Sequence, residues 1–284
     1  MPISKTFGPI LGGAVVWCLA AWTGSWIPPA LLAQTPIAGA AGKNIPAPPD
    51  LSGVYFPILR DELGRGLGSL APTAAGQPPP RPTQASPFGD GRQGRANAPS
   101  LTPKFMAKWE IMRKTREAGS SEFDNFAKCV PLGTPSMMLS NYPMEVVQTK
   151  DKIIFYNELN DSMRRVYMDG RKPRPKHLDD PTYAGYSTGR WEGDTLVVDT
   201  VAINTNAIIE SIFVVFTPHS DAMTVRERIR FAGPGLLEDR IVVTDPEAFT
   251  KPWETVQRYR RAEPRSGRDE VREFACAEGL SEAK

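Results

Sequence analysis

From Glu145 onward the apolar residues of this chain recur with a period of two, in short runs broken by Asn, Asp and Gly. Segments 145–149, 152–158, 163–168, 185–191, 195–201, 208–216, 223–231, 236–244 and 253–260 are rich in β-branched and aromatic residues, and 274–276 adds a short candidate. Runs of this kind, separated by turns such as Lys150-Asp151, Asn160-Asp161 and Gly193-Asp194, are hairpin signals. They predict an antiparallel meander of about eight or nine strands. Open edges are costly for a meander of that length, so it must close on itself or split into two packed sheets. The expected fold is therefore mainly β: a lipocalin-like up-and-down barrel, with a β-sandwich as the alternative.

Ahead of the meander the chain changes character several times. Residues 1–33 carry one charge, Lys5, followed by an apolar centre around Val15, Val16, Trp17 and Leu19 and an exit through small residues. That order reads as a secretory signal, with cleavage after Ala33 or Ala40. Gly, Ser and Pro28-Pro29 interrupt the apolar stretch, which makes it a poor membrane span, so no stable membrane insertion is expected once the signal is removed. The mature protein is expected to be periplasmic or secreted. Residues 34–63 contain one strand candidate at 51–56, and 64–103 form a Pro- and Gly-rich arm too poor in large apolar residues to offset its ordering entropy. Over 104–126, Phe105, Met106, Trp109 and Met112 have helical spacing, with Thr102 and Pro103 suited to the first turn. The barrel domain is then expected over 127–280.

The cysteines follow from the compartment. Removing the signal removes Cys18 and leaves Cys129 and Cys276, one at each end of the meander. In an oxidising compartment they are expected to pair, which is worth about 5 kcal/mol in the loop-entropy description. The chain has too few Cys and paired His for a zinc site, and no metal is expected, a divalent ion held by His219 with carboxylates being the weaker alternative.

The stretch between the two cysteines resembles a family of exported bacterial proteins of unassigned role. The likeness rests on MDGR at 168–171, GRWEGDTLVVDT at 189–200, PHSD at 218–221, Glu227-Arg228 and FTKPW at 249–253. The resemblance implies export and a β-rich domain; it carries no reaction.

Several chemistries are excluded by pattern. With 34 basic and 32 acidic residues, the net charge of +2 gives no concentrated basic surface for nucleic acid. There is no P-loop, dinucleotide-binding glycine turn, H-E-x-x-H, C-x-x-C-H or G-x-S-x-G string, so no cofactor is expected. The chain has two histidines. His219, in the loop at 217–221, is the candidate acid or base, while His177 sits in a Pro-broken basic loop and reads as solvated. The two-residue period puts Glu227 on the same face as Val225, Ile229 and Phe231, where a carboxylate must be paired or perturbed. The same reasoning groups Glu158 with Ile154 and Tyr156, and Arg165 with Met163 and Tyr167, giving an expected inward network of Glu158, Arg165 and Glu227 beside His219.

Two functions remain open. The first is a barrel that holds a small, largely apolar molecule in its interior, lined by Glu158, Arg165, Tyr167, Trp191, Arg228 and Trp253, with Phe155, Phe213 and Phe216 as further aromatic candidates. The second is a cofactor-independent isomerase, lyase or hydrolase on the same barrel. His219 would be its acid or base, Glu227 or Asp194 its partner, and Arg165 or Arg228 the holder of an anionic group.

Overall fold

The computed structural model describes residues 47–58, 98–125, 127–210 and 216–274. Nine strands close into one barrel in sequence order. They are β1 (Gly53–Pro57), β2 (Met144–Gln148), β3 (Lys152–Asn157), β4 (Ser162–Tyr167), β5 (Tyr186–Glu192), β6 (Thr195–Val201), β7 (Thr224–Gly233), β8 (Leu236–Thr244) and β9 (Trp253–Arg261). The short β1 closes the ring by pairing antiparallel with both β2 and β9. Around the barrel every strand pairs with its sequence neighbour, as a meander requires.

One step departs from the expected pattern. β4 and β5 run parallel, with Val166 opposite Ser187 and Tyr167 opposite Thr188. Parallel neighbours need a crossover of a dozen or more residues. The segment 168–185 supplies it, returning the chain along the barrel through the short helix α2 (Pro175–Asp179) before β5 begins. Of the expected strand at 208–216, the described residues show a bridge between Ile209 and Thr217, and 211–215 lie outside them.

Alternation decides what fills the barrel. On β3 the buried residues are Ile153, Phe155 and Asn157; on β4 they are Ser162, Arg164 and Val166. On β7, Val225, Glu227 and Ile229 are buried between exposed arginines. Phe155, Met144, Val198, Leu196, Ile229 and Ile241, all fully buried or nearly so, form one apolar cluster with neighbours from every strand. Truncating a side chain such as Phe155 in that cluster removes about 3–5 kcal/mol.

The ends of the barrel differ. At one end, the helical turn Ser136–Leu139 is wholly buried, and Asn157 Nδ2 donates to the Met137 carbonyl at 3.2 Å. Helix α1 (Pro103–Glu117) contributes Phe105 and Trp109 to the same apolar cluster, and Leu101 just before it bridges to Phe249 in the β8–β9 connection. At the other end the strands are joined by short turns at 149–151, 193–194 and 234–235. Gly193 takes φ +64°, the left-handed value the β5–β6 turn requires.

No helix among the described residues is long and apolar enough to cross a membrane. The signal segment, most of the Pro-rich arm and Cys276 lie outside the described residues, and so does the expected Cys129–Cys276 pairing.

Candidate functional site

Functional side chains gather in three places: the middle of the barrel, its closed end and its open mouth.

In the middle, five successive strands each contribute one inward polar residue. Arg164 on β4 donates through Nε to Ser187 Oγ on β5 at 2.9 Å and through Nη2 to Thr200 Oγ1 on β6 at 2.7 Å. Its Nη1 reaches Glu227 Oε1 on β7 at 2.8 Å, and Nη2 also pairs with Glu227 Oε2, making a bidentate ion pair. Ser187 and Thr200 hydroxyls bond each other at 2.8 Å. Asp239, from β8, completes the belt. All five side chains are at most 1% exposed.

Burial would by itself pull the Arg164 guanidinium down, but the Glu227 charge beside it more than offsets that and holds it up. Burial first, then the Glu227 charge, pushes the Asp239 carboxyl well above the ordinary range. No described donor bonds either Asp239 oxygen; its neighbour is the Glu227 carboxylate, a second acceptor, and only the Arg164 charge pulls the other way. Two carboxyls thus crowd one guanidinium, and the one that Arg164 does not bond directly, Asp239, is the one whose ionisation is disfavoured. Burial likewise raises the Tyr259 hydroxyl, which donates to the Met138 carbonyl. Sealed from solvent in this way, the belt is an internal ion pair, and Glu227 presents no surface to a substrate.

At the closed end lies His219, 1% exposed. Its Nδ1 is 2.8 Å from the Ser220 carbonyl and its Nε2 is 2.5 Å from the Ala207 carbonyl. Burial lowers its pKa below the free value, against the pull of those two carbonyls. Both ring nitrogens face backbone carbonyls, and the neutral ring donates to one of them, so the buried His219 pins the β6–β7 connection rather than serving as an exposed acid or base. Asp245 fixes the same connection from the other side, accepting from Ser220 N and Ser220 Oγ, both at 2.7 Å, and from Ala248 N at 2.9 Å. Nearby Glu210 is pushed up to about 7, by burial first and then by Asp124.

The open mouth holds a groove of about 700 Å³. Pro48, Asp50 and Ser52 ahead of β1 form one wall, and the β2–β3 turn at Gln148, Thr149 and Lys150 forms the next. Met168 and Gly170 after β4, with Gly189, Arg190 and Trp191 on β5, complete it. Trp191 and Met168 are half-buried and pack on the apolar cluster, so the groove floor is the uncovered top of the core. Gly189 makes this possible: a Cβ there would stand 2.5 Å from Met168 Sδ and 2.8 Å from Val166 Cγ1. Gln148 holds the front wall by accepting from Leu51 N at 3.0 Å and donating to the Pro49 carbonyl at 3.2 Å.

The expected site residues are thus dispersed. Glu227 is inward but its partner is Arg164, because the β4 register places Arg164 inside and Arg165 outside, one residue off the expected alternation. Glu158 is outside the barrel, accepting from Arg272 N at 3.0 Å. Arg228 is exposed on the outer face and pairs with Glu192 at 2.8 Å. Asp194 sits in the exposed β5–β6 turn, bonded by Thr195 Oγ1 at 3.0 Å. His219 lies beyond the opposite end of β6, so no acid–base pair with Asp194 exists. Trp253 is buried at the start of β9, at the closed end. Trp191 is the expected residue that does line the mouth, while Tyr167 lines a separate cavity of about 190 Å³ on the crossover. Phe213 lies outside the described residues. Among the described residues no group of three or more His, Cys, Asp or Glu is placed to hold a metal ion.

Sequence reasoning missed Asp239 and Arg164. Asp239 alternates with the buried Leu237, Ile241 and Val243, the same signal that singled out Glu227.

No protein-family model matches the chain. No curated protein matches it either. Among solved structures, a variant of the fluorescent protein UnaG overlaps at a TM-score of 0.26 and 15% identity, covering 43% of this chain and 71% of that one. A likeness that weak carries no argument about function. The class rests on the strand order itself: a closed, nine-stranded, mostly antiparallel barrel.

Proposed function

We propose that this protein is an exported barrel that binds a small, largely apolar molecule at its open mouth, seated on Trp191 and Met168. The observation that carries this reading is the groove of about 700 Å³, whose floor is the exposed top of the core. Concave sites with an apolar floor and a few polar rim groups are the usual form of small-molecule sites. Here Asp50, Ser52 and Lys150 supply the polar rim. The middle of the barrel is taken up by the Arg164–Glu227 belt and its apolar neighbours, so the ligand rests above the core and reaches toward the interior only as far as Gly189.

Export and a Cys129–Cys276 staple belong to the same proposal. They are supported by the signal-like order of residues 1–33 and by the cysteines left after its removal.

The test is a titration with anilinonaphthalene sulfonate, a dye that brightens in apolar sites. Saturable binding to the native protein that weakens about tenfold or more in Trp191→Ala is expected, because buried aromatic anchors dominate such sites. Binding equal in both proteins, or none in either, sinks the proposal.

A further inference from the structure

The crossover between β4 and β5 carries a second cavity, of about 190 Å³, on the outside of the barrel. It is lined by Tyr167, Arg171, Lys172, Arg174, His177 and Tyr186. Three of these are permanent cations, and the loop that brings them, 171–177, contains no carboxylate.

The cations are not equivalent. Arg171 is spoken for: its Nε donates to Asp169 Oδ1 at 2.8 Å, and its guanidinium lies 4.3 Å over the Tyr167 ring. The Asp169 carboxyl is held down at about 2, chiefly by that Arg171 bond. Lys172 and Arg174 have no ion-pair partner among the described residues, so two positive charges face the cavity without a counter-charge.

The aromatic residues form a rigid back wall. Tyr167 and Tyr186 rings are 5.2 Å apart, and His177 stacks on Tyr186 at 4.4 Å with 24° between the planes. Arg174 N donates to His177 Nδ1 at 3.0 Å, which leaves the proton of the neutral ring on Nε2. Neither tyrosine hydroxyl has a hydrogen-bond partner among the described residues. Cations and hydroxyl groups thus converge on a small concave volume with no carboxylate among its lining residues. A tetrahedral oxyanion has the complementary chemistry: several acceptor oxygens and a negative charge that guanidinium and ammonium groups recognise well.

We infer that this cavity is a binding site for a small oxyanion of the phosphate class, held by Lys172 and Arg174 against the Tyr167–Tyr186–His177 wall. The anion is either free phosphate or the phosphate of a small ester, and the wall favours an ester whose organic part is aromatic. The site is separate from the mouth groove, which is lined by Met168 and Gly170 on the intervening turn.

Calorimetric titration of the full-length protein with inorganic phosphate and, in a second arm, with phenyl phosphate tests this. Saturable binding of at least one is expected, falling about tenfold or more in Lys172→Ala/Arg174→Ala, since each charge-assisted contact removed is worth that much. Tighter binding of phenyl phosphate assigns the site to an ester; equal binding assigns it to the free ion. Both replaced residues line the outside of the barrel, and an unchanged melting curve for the variant verifies its fold. Dye binding at the mouth is expected to survive this substitution, which separates failure of this site from failure of the groove. No saturable binding in either arm, or binding unaffected by the double substitution, overturns the inference.

Discussion

The two ends of the barrel are made from opposite kinds of connection. At one end long segments fold back over the strands, bringing in the buried Ser136–Leu139 turn, His219, Asp245 and Trp253. Their polar atoms are spent on one another and on backbone. At the other end the three hairpin turns are only two or three residues long and the β4–β5 crossover leaves along the barrel side, so Trp191 and Met168 remain half-buried at the edge of the core. The same strands thus end in a structural plug on one side and an uncovered groove on the other. Loop length, more than residue type, decides which.

The largest expected effect lies between the ends. Glu227→Ala leaves the Arg164 guanidinium buried without its partner and should cost about 3–5 kcal/mol, read as a drop in denaturant midpoint. A loss below about 1 kcal/mol there would mean that water reaches the belt, and the contrast between a sealed body and an open mouth would fail.

Next comes Asp245→Ala at the closed end. It strands the Ser220 and Ala248 amides, both buried, and should cost about 3 kcal/mol or more. If the loss were no greater than for Trp191→Ala, the plug would have no special structural weight.

The plug should also give stability an unusual dependence on pH. Folding lowers the His219 pKa below the free value of 6.5. The stability this group contributes is therefore present above about 6.5 and lost as pH falls through the lower folded value. Glu210 works in the opposite sense: its pKa rises from 4.5 to about 7, so its contribution is full below 4.5 and is lost as pH rises through about 7. Urea denaturation across this range should show His219→Asn removing the acid-side loss and Glu210→Gln removing the neutral-side loss. Unchanged profiles in both variants would show that these groups are solvated and the end is not closed.

Trp191→Ala is expected to have the smallest effect on stability, below about 2 kcal/mol because the side chain is only half-buried. Its effect should appear in binding instead.

Much of this architecture is legible in the amino-acid order. The period of two from Glu145 and the turn residues between runs predict a closing meander, because each hairpin depends on local chemistry. The parallel β4–β5 step is not legible: it depends on where the crossover at 168–185 returns, which is set by packing against the barrel. Glu227 stands out as an acid on an apolar face, yet its partner is misread. Arg164 and Arg165 are adjacent, and their side chains point to opposite faces, so a one-residue slip in register exchanges them. His219 looks catalytic because histidine in a loop is chemically versatile; only the Ser220 and Ala207 carbonyls reveal its occupation. The mouth groove is assembled from four separate segments, so its lining follows from barrel closure alone, with Trp191 the one member that the sequence singles out.

The central claim, that the open mouth is the binding end, is tested most directly by native mass spectrometry of protein purified under mild conditions, comparing wild type with Trp191→Ala. A small, largely apolar compound that accompanies the wild-type protein and is lost from the variant is the predicted result. The same compound retained in full by Trp191→Ala, or no bound compound on either protein, would contradict it.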